Sequence, residues 1–145
     1  MEINPNLVCV DASLVIALLL PERFSDKALR LWEKWMQADL DITAPRLIRY
    51  EVPSVIHRKG LRGLITWDDA QTVLGYFLNL DISCDESESL PIRASELARQ
   101  FQRSNTYDAF YLAQAEQFSC PFWTGDERLF NAVKDGYSLI HWLGE

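Results

Sequence analysis

Three apolar runs in this chain lead into an acidic residue: Val10 is followed by Asp11, Cys84 by Asp85, and Thr124 by Gly125-Asp126. At the C-terminal ends of strands in an open parallel sheet, such carboxylates face the crevice where α/β folds take their ligands. Asp11 and Asp126 then lie side by side if their two strands are neighbours. Two more carboxylates fall on stretches with helical periodicity. In APRLIRYEVPSVIHRK, Glu51 is four positions after Leu47 and four before Val55, so it shares their face. A carboxylate on a core-facing stripe is unusual unless something offsets its desolvation. In SNTYDAFYLAQAE, Asp108 precedes a buried stripe of Ala109, Leu112 and Ala113, and its first-turn position also fits a plain helix-terminus role. Carboxylates gathered in one crevice raise one another's pKa unless a cation joins them. A set of hard oxygen donors suits Mg²⁺ or Mn²⁺ far better than zinc. His57 and His141 carry no ligand spacing, and Asp85 and Glu86 read as part of a solvated loop.

The elements that must position these residues follow from the apolar pattern. Leu7 to Val10 reads as a strand buried on both faces, and Ala12 to Leu20 as a short helix stopped by Pro21. Ser25 to Gln37 is a second helix, with Ala28, Leu31, Trp32 and Trp35 on one face. Asp41 to Ala44 is a strand, and Arg46 to Arg58 a helix that Pro53 is expected to bend or split. Thr66 and Asp69 resemble a capping box for a helix running to about Leu78. Leu80 to Cys84 is a strand, Pro91 to Gln102 and Tyr107 to Phe118 are helices, and Pro121 to Thr124 is a strand. A helix from Asp126 to Val133 and an edge strand from Ser138 to Trp142 complete the series. Alternating strands and helices predict an α/β fold: a three-layer α/β/α sandwich over a mainly parallel sheet of four to five strands.

Bulk properties narrow the class. The 145 residues favour one domain, spanning 1–145, with a sizeable core. A formal charge of -7 argues against a protein that coats nucleic acid through a broad basic surface, but a crevice enzyme holds its substrate only locally. Cys9, Cys84 and Cys120 are odd in number and widely spaced, which fits free thiols in a reducing compartment. With neither a basic, apolar leader nor a membrane-length apolar run, the expected location is cytoplasmic. No GxxxxGK[ST] is present, so a P-loop enzyme is excluded, and no lysine follows a late strand as a phosphate-accepting receiver domain needs.

The chain resembles the PIN domain, and within it the small bacterial toxins of the VapBC toxin–antitoxin type. VCVDASLVIALLLPE is similar to the family's first strand and helix, which assigns the first aspartate to Asp11. APRLIRYEVPSVIHRK resembles the second block and assigns its glutamate to Glu51. YDAFYLAQAE is the most specific match and gives Asp108, and FWTGDERLFNA resembles the closing block, giving Asp126 with Thr124 as a supporting hydroxyl. Ser13 matches a position that often holds Ser or Thr and helps orient the site. The four blocks occur in order over almost the whole length. Pro53, two residues after Glu51, is the departure.

The resemblance implies a Mg²⁺- or Mn²⁺-dependent endoribonuclease that cleaves single-stranded or loop RNA by a metal-activated water. Asp11, Glu51, Asp108 and Asp126 would be both catalytic residues and metal ligands. Arg46, Arg49, Arg58, Lys59, Arg62 and Arg103 are candidates for phosphate contacts, with the densest run beside Glu51. The implied partners are RNA, a small antitoxin protein and a second copy of the chain in a homodimer, with no membrane. Trp32, Trp35 and Trp67 fall in helices and serve either core or interface. The alternatives are a PIN-like RNA-processing or DNA-directed nuclease outside a toxin system, and a catalytically inert regulatory binding protein.

Overall fold

In the computed structural model, which describes residues 2–145, the wholly apolar segment Leu7–Val10 forms strand β1 at the centre of the sheet. Successive side chains of a strand point to opposite faces. Cys9 accordingly directs its thiol to the Tyr111 carbonyl, while Val8 and Val10 point the other way, and all three are buried. Helix α1 (Ala12–Leu19) follows directly, then α2 (Ser25–Gln37), β2 (Asp41–Thr43), α3 (Ile48–Leu61) and α4 (Trp67–Asn79). The second half comprises β3 (Ile82–Ser83), α5 (Leu90–Gln100), α6 (Tyr107–Phe118), β4 (Phe122–Thr124), α7 (Glu127–Val133) and β5 (Ile140–Trp142).

The five strands are ordered β3-β2-β1-β4-β5 and every pair is parallel, the upper end of the strand count expected from sequence. Helices α1 to α4 pack on one another. Helix α5 packs on α6, and α6 lies on β1 and β4, which gives the three-layer α/β/α arrangement. Val10 pairs with Trp123 across β1 and β4, so the next residues, Asp11 and Thr124, emerge together at the C-terminal edge. β1 also has β2 on its other side, so the chain leaves the centre of the sheet in both directions. This is the switch point at which α/β sheets open a crevice.

Several boundaries differ from the sequence reading for physical reasons. Helix α3 runs without a break through Pro53. Pro53 is the sixth residue of the helix, so the ladder forgoes one bond, the one its absent N–H would have made to the Arg49 carbonyl, and continues on either side. Its buried stripe is Ile48, Val52 and Ile56, one position on from the Leu47–Glu51–Val55 stripe expected, and Tyr50 is exposed. The Leu80–Cys84 strand shrinks to Ile82–Ser83, which as an edge strand pairs on one side only. Thr66 caps α4 by accepting the Asp69 N–H at 3.0 Å, as the capping box predicted. Trp32 and Trp35 are buried in the core, whereas Trp67 is half exposed. Among the described residues no helix is long and apolar enough to cross a membrane, and the three cysteines are unbonded to one another.

Candidate active site

Two of the four carboxylates hold the N-termini of helices. Asp11 is the N-cap of α1, its Oδ1 accepting the Leu14 N–H at 3.0 Å. Asp126 caps α7, its Oδ1 accepting the N–H groups of Arg128 at 2.9 Å and Leu129 at 3.2 Å. Caps of this kind satisfy orphan donors and place negative charge at the favourable end of the helix dipole. Both residues thus follow from strand-to-helix turns at adjacent strand ends.

A closed set of hydrogen bonds joins these two turns. Ser13 Oγ donates to Asp11 Oδ1 at 2.6 Å and accepts the Gly125 N–H at 2.8 Å. Thr124 Oγ1 donates to Asp11 Oδ2 at 2.5 Å and accepts the Asp126 N–H at 2.9 Å. A Cβ on Gly125 would lie 3.2 Å from Ser13 Oγ and 3.3 Å from the Ser13 backbone, tighter than ordinary contact, so glycine lets the two turns approach without displacing Ser13. Asp11 is buried beneath the network, at 6% exposure.

The other two carboxylates come from the flanking helices. On α3, Glu51, Val55 and Lys59 recur every four residues and line the crevice, while Ile48, Val52 and Ile56 take the core. The Tyr111 hydroxyl donates to Glu51 Oε1 at 2.7 Å. Tyr111 lies three positions after Asp108 on α6, hence on the same face, and its ring stacks on Phe122 at 6.2 Å. Asp108 accepts from Arg103 Nη2 through Oδ2 at 3.2 Å. Asp11, Glu51, Asp108 and Asp126 all line one crevice of about 300 Å³. Lys59 and Glu22, paired at 3.2 Å, line it too.

Burial and mutual repulsion raise the affinity of this crevice for positive charge. Burial drives the Asp11 carboxyl up to about 7, the hydrogen bonds from Ser13, Thr124 and Leu14 pull the other way, and the charge of Asp108 adds to the rise. Glu51 is raised first by burial, against the Tyr111 hydrogen bond, and further by Asp108. Asp108 is itself raised by burial, against the Arg103 contact, and further by Asp126. Asp108 is therefore the member whose charge couples to all three others. The Tyr111 phenol is held far above its ordinary value, by burial and then by Glu51, so it stays a neutral donor.

The donor set suits a hard divalent cation. Apart from Lys59, the polar side chains lining the crevice are carboxylates and the hydroxyls of Ser13 and Tyr111, with neither histidine nor cysteine among its residues. Among the described residues no three of His, Cys, Asp and Glu converge closely enough to cage an ion. That spacing excludes a closed structural site but fits Mg²⁺, which keeps several waters and takes only one or two carboxylates directly.

The basic candidates separate sharply. Lys59 lines the crevice, Arg103 touches Asp108, and the charge of Arg58 reaches Glu51 while its Nη1 donates to Ser54 Oγ at 3.1 Å. Arg46 and Arg49 instead lie beside Cys84, and Arg62 sits past the end of α3; none of these three lines the crevice. Sequence reasoning missed Tyr111 and Glu22. For Tyr111 a signal existed, since a tyrosine on a buried stripe needs a partner for its hydroxyl. Glu22, read as a loop residue, carried none.

The chain matches the family model of the PIN domain over residues 8–135. Among solved structures it is similar to PAE2754 from Pyrobaculum aerophilum, with 24% identity and a TM-score of 0.62, over 91% of this chain and 87% of that one. It is also similar to VapC20 of Mycobacterium tuberculosis, described as a sarcin-ricin loop cleaving toxin, with 18% identity and a TM-score of 0.63, over 90% of this chain and 95% of that one. At these identities the likeness is one of fold. No curated protein matches the chain.

Proposed function

The chain belongs to the PIN domain family, and from that premise we propose that it is a divalent-metal-dependent endoribonuclease, the toxin of a toxin–antitoxin pair. One observation carries the proposal: four carboxylates from four separate blocks of sequence line a single crevice at the sheet's switch point, with Asp11 buried and raised to about 7. Keeping such groups together is unfavourable unless a cation joins them. Asp11, Glu51 and Asp108 would hold a Mg²⁺ or Mn²⁺ ion, one or two of them directly and the rest through the ion's own waters. Asp126, whose Oδ2 has no protein partner among the described residues, would complete that site or hold a second ion.

When bound, the ion supplies a water of lowered pKa and neutralises charge on the phosphate. The chain's own residues prepare the rest. Ser13 and Thr124 fix both oxygens of Asp11, and Tyr111 fixes Glu51 without adding charge. Lys59, Arg58 and Arg103 supply positive charge around an otherwise acidic crevice. No protein nucleophile is suggested: the Ser13 hydroxyl is committed to Asp11 and Gly125, and no histidine lines the crevice to act as its base. Water attack would leave 5′-phosphate and 3′-hydroxyl ends.

The toxin reading is supported by the fold likeness to VapC20. It brings with it a small antitoxin, a homodimer, a cytoplasmic location and a single nuclease domain over residues 1–145. The test is incubation of the purified chain, free of any partner, with total cellular RNA and Mg²⁺ or Mn²⁺, followed by mapping of new ends. Asp11→Asn and an EDTA control run alongside. Discrete cuts with 5′-phosphate ends, lost in both controls, are expected. Cleavage of DNA instead of RNA would move the chain to a DNA-directed nuclease, and a folded chain that binds no metal would be an inert binding protein.

A further inference from the structure

Among Asp11, Glu51, Asp108 and Asp126, only Asp108 is ion-paired within the described residues, and its partner is Arg103; the fifth carboxylate of the crevice, Glu22, pairs with Lys59. The contact is a single one, Nη2 to Oδ2 at 3.2 Å. The remaining guanidinium N–H groups have no partner within the described residues. The side chain is a quarter exposed and reaches the crevice only through Asp108, since Arg103 is not itself among the lining residues. Its root, by contrast, is fixed. The Arg103 N–H donates to the Ala98 carbonyl at 2.8 Å, just after Gln102, which adopts the left-handed conformation at φ 52. Asn105 Oδ1 then accepts the Tyr107 N–H at 3.0 Å and leads the chain into α6. Only side-chain rotation is needed to carry the guanidinium away from Asp108.

Asp108 is also the carboxylate whose charge couples to Asp11, Glu51 and Asp126. A guanidinium cannot give up its proton, so Arg103 stays a cation whatever else enters the crevice. A divalent ion on Asp108 removes the charge that holds the arginine and repels it at short range. The same ion brings a phosphate into the crevice, and a planar guanidinium with free donors matches phosphate oxygens in a two-pronged contact.

Resting on the reading of Asp108 as a metal ligand, we propose that Arg103 is a placeholder cation: it occupies Asp108 in the metal-free crevice and exchanges that carboxylate for a phosphate of the RNA backbone when the divalent ion loads. Metal loading and substrate capture are thereby coupled through one side chain, and the arginine opposes the first while promoting the second.

The opposed signs make the test. Mn²⁺ affinity is measured by calorimetry on the partner-free chain, and KM for a single-stranded RNA oligonucleotide at saturating Mn²⁺, for the wild type, Arg103→Gln, Arg103→Lys and Asp108→Asn. Removing a part-exposed ion pair should let Arg103→Gln bind Mn²⁺ about two- to fivefold more tightly. Losing a charged hydrogen-bond donor should raise its KM roughly tenfold or more. Arg103→Lys should fall between in both. A merely structural residue would weaken both together. Mn²⁺ affinity unchanged or lowered in Arg103→Gln, or an unchanged KM, overturns the exchange. Asp108→Asn separates the two levels: if it binds Mn²⁺ like the wild type, the reading of Asp108 as a ligand has failed. If it loses Mn²⁺ while Arg103→Gln gains none, only the exchange has.

Discussion

Replacing Asp11 by asparagine should make the metal-free protein more stable at neutral pH while abolishing its activity. In the fold the Asp11 carboxyl is raised from 3.8 to about 7, chiefly by burial. Between those values the unfolded chain has released this proton and the folded chain still holds it. Because the native state binds more protons across that window, stability falls as pH rises from about 4 to 7, and the full penalty applies above 7. At 1.36 kcal/mol per unit, the penalty is about 4 kcal/mol. Asparagine keeps the volume and stays neutral, but with its oxygen held by the Leu14 N–H its amide faces Thr124, whose hydroxyl must turn to accept, at a cost of about 1 kcal/mol. A net gain of roughly 2–3 kcal/mol raises Tm by about 6–12 °C in a domain of this size. The assay is thermal unfolding followed by circular dichroism in EDTA, from pH 5 to 8, for both proteins. The wild-type Tm should fall across the range, with the Asp11→Asn curve above it at pH 8 and converging toward it at pH 5. Saturating Mn²⁺ should restore the wild type at pH 8 and leave the variant unmoved. A flat wild-type curve, or a variant no more stable than the wild type at pH 8, would falsify the claim that Asp11 is a buried charge awaiting a cation.

Gly125→Ala should destabilise the fold by about 1–3 kcal/mol and impair cleavage, because the new Cβ meets the Ser13 backbone as well as its hydroxyl; a denaturant midpoint and a single-turnover assay read the two effects. Tyr111→Phe keeps the ring on Phe122 but removes the donor to Glu51, and cleavage should drop about tenfold, with wild-type activity in the variant counting against a role for that hydrogen bond. Lys59→Ala should weaken RNA binding and lower its salt dependence by about one unit of slope, whereas Arg49→Ala, placed beside Cys84, should leave both unchanged; an equal effect from the two would mean that RNA lies over a different face.

The parts of the site that depend on strand ends were readable because a strand-to-helix turn is local. Asp11 and Asp126 follow apolar runs, and the same residues that end the strands cap the helices. Their adjacency required knowing that β1 and β4 pair, which no local pattern in either segment states. The face of α3 was read one position off because Leu47 and Val55 only flank the core and Tyr50 is exposed, while Ile48, Val52 and Ile56 fill it. That offset also misled the reading of the basic run. Density in sequence favoured Arg46 to Arg62 as a group, but a helix presents only every third or fourth residue to one neighbour, and here that row is Glu51, Val55 and Lys59. Contacts between elements, such as Tyr111 to Glu51 and Lys59 to Glu22, were beyond reach for the same reason.

The network of Ser13, Thr124 and Gly125 around Asp11 has a consequence for when the crevice can form during synthesis of the chain. Its two halves lie at opposite ends of the chain, in the turns after β1 and β4. A nascent polypeptide that has emerged through α6 carries Asp11, Glu51 and Asp108 but lacks the strand that completes the central pairing. Contacts of such wide separation form late, after loop closure has been overcome. Until the turn after β4 has been made, Asp11 lacks the Thr124 hydroxyl and Ser13 lacks the Gly125 N–H, so the crevice stays incomplete through the synthesis of everything that precedes that turn.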